Sequence, residues 1–222
     1  IKKYSFSKIY DLQNSSRSKF YKKILFPKAS SNIWSSTETT IDTTENTNKI
    51  LNNSVLDRFD YQLNRSGIKT VNVLKPDFSW SCEDISFLID KYKLEKYILI
   101  FPFSSPHLTI KRWPYYNDLI KKIKQYYKEK YQVITAPAPN EIDMADKLNT
   151  LCILNNDKAL NITQLSSLIK QSAFVIANDT GPAHMAAHLN VKGLALFGSH
   201  TTARKVSIER DNFKAIQVSD LT

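Results

Sequence analysis

The chain has 222 residues, 42% hydrophobic and 11% aromatic, and carries 31 Lys and Arg against 21 Asp and Glu for a net charge of +10. That length holds one large domain or two small ones with a real core, and the composition excludes a chain disordered throughout. The longest apolar run, Tyr97–Phe103 (Y-I-L-I-F-P-F), falls far short of the roughly 18 residues that cross a bilayer, so no membrane-spanning helix is expected.

In chain order, Ser7–Leu12 reads as a strand and Ser15–Lys23 as a helix, followed by a long Ser/Thr/Asn-rich surface loop over Ser30–Asn48. Leu51–Asn64 and Glu83–Tyr92 read as further helices. Between them Pro76–Ser81, a Pro/Asp/Ser/Trp segment, separates two styles of sequence and places a domain boundary between 1–78 and 79–222. From Lys96 onward, short apolar runs alternate with amphipathic stretches. Tyr97–Phe103 is a buried strand, and Pro114 opens a helix with Leu119, Ile120, Ile123 and Tyr127 on one face. Tyr131–Thr135 is the next strand, then a Pro-rich turn and a helix over Asn140–Asn149. Leu151–Leu154 is a short strand, Thr163–Gln171 a helix whose start is marked by Asn161 or Thr163, and Ala173–Ala177 a strand. Pro182–Leu189 is a helix and Gly193–Phe197 a strand. Five strands separated by four helices imply a parallel, doubly wound α/β sheet.

The basic excess invites a nucleic-acid reading, but 25 of the basic residues are Lys and only six are Arg, whereas base and phosphate recognition enriches Arg for its planar fork. A solvated Lys-rich surface is the first reading, and a surface facing anionic lipid, acidic glycan or nucleic acid the second. Cys82 and Cys152 lie far apart without metal-ligand spacing, which points to a reducing compartment and to neither a zinc site nor a disulfide scaffold. The first residue is Ile1 and no secretory signal pattern follows, so the sequence reads as lacking its natural start. Glycine is scarce, with 4 in all, and Gly181, Gly193 and Gly198 cluster near the end of the chain, where the backbone is expected to need them.

The strongest chemical signal is N-D-T-G-P-A-H-M-A-A over Asn178–Ala187. It joins an apolar strand to a helix, at the carboxyl end of a parallel strand, where ligands of open α/β sheets gather. Such a turn offers free backbone N–H groups and the positive end of a helix dipole to a pyrophosphate. Gly181 lets the ligand approach the backbone, Pro182 suits the first helical turn, and His184 sits one turn in, within reach of a phosphate oxygen. Alone, the segment would be no more than a helix cap with a buried histidine. Its context is K-R-W-P at Lys111–Pro114, which follows another strand and so faces the same rim. There Lys111 offers a point charge to a diphosphate or leaving phosphate, and Ser104 and Ser105 offer hydroxyl donors. P-A-P-N-E at Pro137–Glu141 adds Glu141, either a ribose ligand or a helix-start carboxylate. Leu160 and Ile162 are expected to form an apolar wall for a nucleobase.

Glu141, N-I-T-Q-L (Asn161–Leu165), N-D-T-G-P-A-H-M-A-A and L-F-G-S (Leu196–Ser199), in that order after K-R-W-P, resemble the ADP-heptose:lipopolysaccharide heptosyltransferase family, glycosyltransferase family 9. A weaker match lies upstream, at Ile9–Ser18. The resemblance implies a GT-B architecture: a Rossmann-like donor domain, here at 79–222, and an incomplete amino-terminal Rossmann-like acceptor domain at 1–78. It implies that Asp179, Thr180, Gly181 and His184 hold the diphosphate and sugar, with Lys111 at phosphate, Glu141 at the ribose and Leu160 at the adenine. The implied reaction is an inverting, metal-independent transfer of heptose from ADP-heptose to the lipopolysaccharide inner core, with no cofactor. The expected setting is cytoplasmic, at the inner face of the inner membrane with peripheral contact to anionic lipid, and no nucleic acid is involved.

Three departures from the family stand out. The acidic residue usually assigned as base belongs to a segment expected upstream of Ile1, and Asp11 is not that residue. The family continues past L-F-G-S with further helices, whereas this sequence stops at Thr222; and where the family has Gly-x-Pro before the last strand, this chain has Asn190-Val191-Lys192. The alternatives are the same family with another nucleotide-sugar donor, a non-catalytic nucleotide-binding fragment and, more remotely, a nucleic-acid binder.

Overall fold

The computed structural model describes residues 6–27, 33–41, 50, 52–71, 73–219 and 221. The chain divides into two compact units, residues 1–76 with 205–207 and residues 77–204 with 208–222.

In the smaller unit, β1 (Ile9–Tyr10) pairs in parallel with β2 (Trp34–Ser35). Helix α1 (Ser16–Leu25) starts at a capping box in which Ser15 and Ser18 satisfy each other's backbone N–H groups. Ser36 and Thr39 do the same for the short α2 (Thr37–Thr40), and Ser54 caps α3 (Val55–Arg65). Gln62 of α3 is fully buried and ties these pieces together. Its amide N–H donates to the carbonyls of Asp11 and Ser35, each at 3.1 Å, and its carbonyl accepts from Asn14 at 3.1 Å and the Thr37 hydroxyl at 3.2 Å. The loop expected over 30–48 is therefore ordered at 33–41, because Ser36 and Thr39 supply helix-start chemistry. Residues 30–32 and 42–48 of that loop, and Leu51 at the expected start of the following helix, lie outside the described residues.

The larger unit carries α4 (Ser86–Tyr92), β3 (Tyr97–Phe101), α5 (Tyr116–Tyr127), β4 (Gln132–Thr135), α6 (Ile142–Ala145), β5 (Leu151–Cys152), α7 (Ile162–Gln171), β6 (Phe174–Asn178), α8 (Gly181–His188), β7 (Gly193–Phe197) and β8 (Phe213–Gln217). The strands form one parallel sheet in the order β5-β4-β3-β6-β7-β8. Every residue of β3 is buried, as a strand covered on both faces must be. On one face Ile98, Ile100, Val133, Ile176 and Leu196 pack with Tyr116, Ile120 and Ile123 of α5. From the other face Tyr97 donates its hydroxyl to the Leu168 carbonyl in α7 at 2.8 Å. This is the doubly wound arrangement the alternating sequence implied, in the Rossmann-like form the resemblance implied.

Several details differ from expectation. Tyr127 is exposed, and Tyr116 takes the buried place on α5. The helix expected over Asn140–Asn149 shrinks to a 3-10 turn, Pro139–Glu141, plus the single turn of α6, which buries only Ala145. The sixth strand, β8, escaped the sequence reading because it is an edge strand and buries only Phe213. Asn161, not Thr163, caps α7, in a capping box with Gln164. Gly193 is needed for close packing: a Cβ there would lie 2.6 Å from the Val175 carbonyl oxygen and 2.7 Å from the Phe213 ring. Among the described residues no helix is long and apolar enough to cross a membrane.

Candidate functional site

The order of the sheet reverses between β3 and β6, since the chain runs outward from β3 through β4 to β5 and then returns to β6 on β3's other side. At such a switch point the loops leaving adjacent strands diverge and leave a crevice at the carboxyl ends. A cleft of about 280 Å³ lies there. Its walls are Phe101–Ser105 after β3, Thr135–Pro139 and Glu141 after β4, Leu160 and Leu165 at α7, and Thr180 and Pro182 at the start of α8.

Asn178, buried at the end of β6, fastens two of these walls. Its side-chain N–H donates to the Pro102 carbonyl at 2.7 Å, while its side-chain oxygen accepts from the Tyr116 hydroxyl at 3.1 Å and the Trp113 N–H at 3.4 Å. Arg112 braces the loop after β3, donating to the Ser104 carbonyl at 2.8 Å and to its hydroxyl at 3.2 Å.

Beside the cleft, Asp179 is 3% exposed and gathers three side chains. Lys111 donates to Oδ2 at 2.6 Å and to the Asp179 backbone carbonyl at 3.2 Å. His200 Nε2 lies 3.1 Å from Oδ2, and His184 Nε2 lies 3.5 Å from Oδ1. Burial pushes the Asp179 carboxyl up, but hydrogen bonds from His184 and Lys111, the Lys111 charge and the His200 hydrogen bond together outweigh it and hold the group well below the usual carboxylate range. The result is an ionised carboxylate facing a single lysine charge at the rim of the sheet.

Thr180 occupies the N-cap of α8 without a side-chain hydrogen bond to the first turn, and Pro182 follows within that turn. Pro182 has no N–H, and the N–H groups of Ala183 and His184 donate to the Thr180 carbonyl at 3.0 and 3.3 Å, so the Gly181 N–H is the first-turn donor left to an incoming acceptor among the described residues. Gly181 does not have a left-handed backbone, and a Cβ on it would meet nothing within 4 Å, so the fold itself does not require glycine there.

The structure thus brings Ser104, Ser105, Glu141, Leu160 and Thr180 to one cleft and sets Lys111, Asp179 and His184 in one charged cluster next to it. Three of the cleft's polar side chains are occupied within the protein, the Thr180 hydroxyl by donating to the Asn178 carbonyl at 3.3 Å. The Ser104 hydroxyl donates to the Leu108 carbonyl at 2.8 Å, and the Glu141 carboxylate accepts the Ala138 N–H at 3.0 Å. Sequence reasoning missed His200 and the clamping role of Asn178. The one signal for His200 was its place directly after L-F-G-S, at the carboxyl end of β7.

A parallel sheet with a cleft at its switch point defines a Rossmann-like α/β protein. The sequence profile of glycosyltransferase family 9 (heptosyltransferase) matches residues 1–216, and the chain belongs to that family. Among solved structures, the glycosyl transferase family 9 protein from Veillonella parvula has a TM-score of 0.57 at 15% identity, over 75% of this chain and 49% of that one. E. coli heptosyltransferase WaaC with ADP gives a TM-score of 0.54 at 14% identity, over 82% of this chain and 54% of that one. The same enzyme with ADP-2-deoxy-2-fluoro heptose gives 0.53 at 14% identity, over 82% of this chain and 53% of that one. These likenesses establish the GT-B fold, and the chain spans about half the length of the structures it matches. A search of curated proteins returns no match.

Proposed function

We propose that residues 79–222 form the nucleotide-sugar-binding domain of a glycosyltransferase that moves heptose from ADP-heptose to the lipopolysaccharide inner core, and that residues 1–78 belong to its acceptor side. The observation that carries this reading is the adjacency of a mostly apolar cleft to the Lys111–Asp179–His184 cluster and the uncapped start of α8. An apolar slot suits a base, and a cation near the Gly181 N–H and the positive end of the α8 dipole suits the diphosphate joined to it. Leu160 would flank the adenine, Glu141 the ribose, and Ser105, Thr180, Gly181 and His184 the diphosphate and sugar.

In the reaction, the acceptor oxygen bonds to the anomeric carbon as the bond from that carbon to the diphosphate oxygen breaks. ADP departs with the electron pair, the acceptor proton passes to a base, and the anomeric configuration inverts. Lys111 and the amino end of α8 offset the charge growing on ADP without a metal ion or cofactor. The anionic acceptor places the protein at the cytoplasmic face of the inner membrane, with its basic surface toward the lipid.

Calorimetric titration with ADP, ADP-heptose and a UDP-sugar tests the reading. Binding of the two adenine compounds above the UDP-sugar is expected, and Lys111→Ala should weaken it about tenfold. Equal binding of the UDP-sugar, or wild-type affinity in Lys111→Ala, overturns the donor-site assignment.

A further inference from the structure

In this structure the Lys111 ammonium is directed at Asp179, with two contacts to that one residue. A phosphate at the rim would compete for the same charge. If Lys111 turned outward, Oδ2 of a nearly fully buried carboxylate would lose its cation, and a buried charge without a partner is costly. His200 is placed to bear on this. Its side chain is 9% exposed, and Nε2 reaches the same Oδ2 from the loop after β7. A carboxylate offers only acceptors, so Nε2 carries the hydrogen. Nδ1 is buried and has no hydrogen-bond partner among the described residues, which leaves Asp179 as the one polar group the ring serves. The ring stacks on Phe197, with centroids 6.2 Å apart and planes within 13°, and Gln217 ties the loop down through the Gly198 carbonyl at 2.8 Å and the Thr201 carbonyl at 3.2 Å. The ring is therefore fixed, while the lysine beside it has a flexible stem and is 20% exposed.

We infer that His200 is a positioning residue that holds the Asp179 carboxylate while Lys111 transfers its charge to the diphosphate of the bound nucleotide. The inference rests on the donor-site reading. Oδ2 of Asp179 then has two partners in the free protein and keeps the rigid one in the complex, while His184 stays at Oδ1. Without His200 the carboxylate would retain Lys111, and the phosphates would be held more weakly.

Two substitutions separate this role from simple packing. His200→Phe keeps a ring to stack on Phe197 and removes the donor. His200→Gln loses the stack and places an amide N–H near the position of Nε2. With the complete chain titrated with ADP, the Phe variant should bind about tenfold more weakly and the Gln variant should return to within about threefold of wild type. In a Lys111→Ala background the His200→Phe effect should shrink, because no charge remains to be released. Unchanged ADP affinity in His200→Phe overturns the inference, and so does weakening by Phe and Gln alike, or a His200→Phe effect of full size without Lys111. Absence of ADP binding by the wild-type chain overturns the donor-site reading, and this inference with it, before any variant is made.

Discussion

Gln62 and Leu99 are both completely buried, yet they hold their units together by different means. Around Leu99 the larger unit packs apolar strands against helices, an attraction that is non-directional and grows with the area removed from water. Around Gln62 the smaller unit buries Ser35, Thr37 and Asp11 beside it and relies on directed bonds to each. The first kind of interior tolerates loss of a methyl group at a graded cost. The second fails one partner at a time, because each abandoned donor or acceptor stays desolvated.

Four measurements can break or sharpen that contrast. The largest effect is expected from Gly193→Val, since its side chain would have to displace the Val175 backbone or the Phe213 ring. A loss of more than about 4 kcal/mol, seen as failure to give a cooperative urea transition, is expected. Leu99→Ala leaves a cavity at a fully buried site and should cost about 2–5 kcal/mol by urea midpoint. Gln62→Leu keeps volume but strips the polar interior of its hub. It should cost about 1–3 kcal/mol, with hydrogen-exchange protection lost in α1 and α3 and retained in β3–β7. Uniform loss of protection across both regions would contradict the contrast.

The smallest effect is a pH dependence. Burial, the Arg210 charge and His184 lower the His188 imidazole from 6.5 to about 4. Between those values the unfolded chain binds the proton that the folded chain refuses. Stability contributed by His188 is therefore complete above about 6.5 and falls as pH drops toward about 4. After discounting for its partial exposure the change is on the order of 1 kcal/mol. His188→Gln should flatten the slope of melting temperature against pH in that window, and an unaltered slope would assign it elsewhere.

The same contrast explains what the sequence made legible. β3, β4, β6 and β7 stood out because strands covered on both faces are near-continuous apolar runs. β8 did not, since F-K-A-I-Q buries a single side chain. β2 and α2 were hidden in a Ser/Thr/Asn stretch whose capping boxes mimic loop composition. At the site, the motifs at 111–114 and 178–187 marked the rim, because strand-to-helix turns with Gly, Pro and charge have few other uses. Their pairing was not visible: Lys111 and Asp179 meet only through the neighbouring positions of β3 and β6. His200 was hidden because its partner is defined by the fold, and no local spacing announces it.

The Asn178 clamp has a consequence for how the cleft is filled. One buried amide holds the Pro102 carbonyl on one wall and sits at the root of Thr180 and Pro182 on the other. The gap between those walls is set when the chain folds and does not wait for an occupant. A molecule entering it meets a gauge of fixed width, with little loop freedom left to surrender on arrival. Discrimination among flat rings of different size would then fall to this gauge, and a residue that touches no ligand would help decide which ring fits.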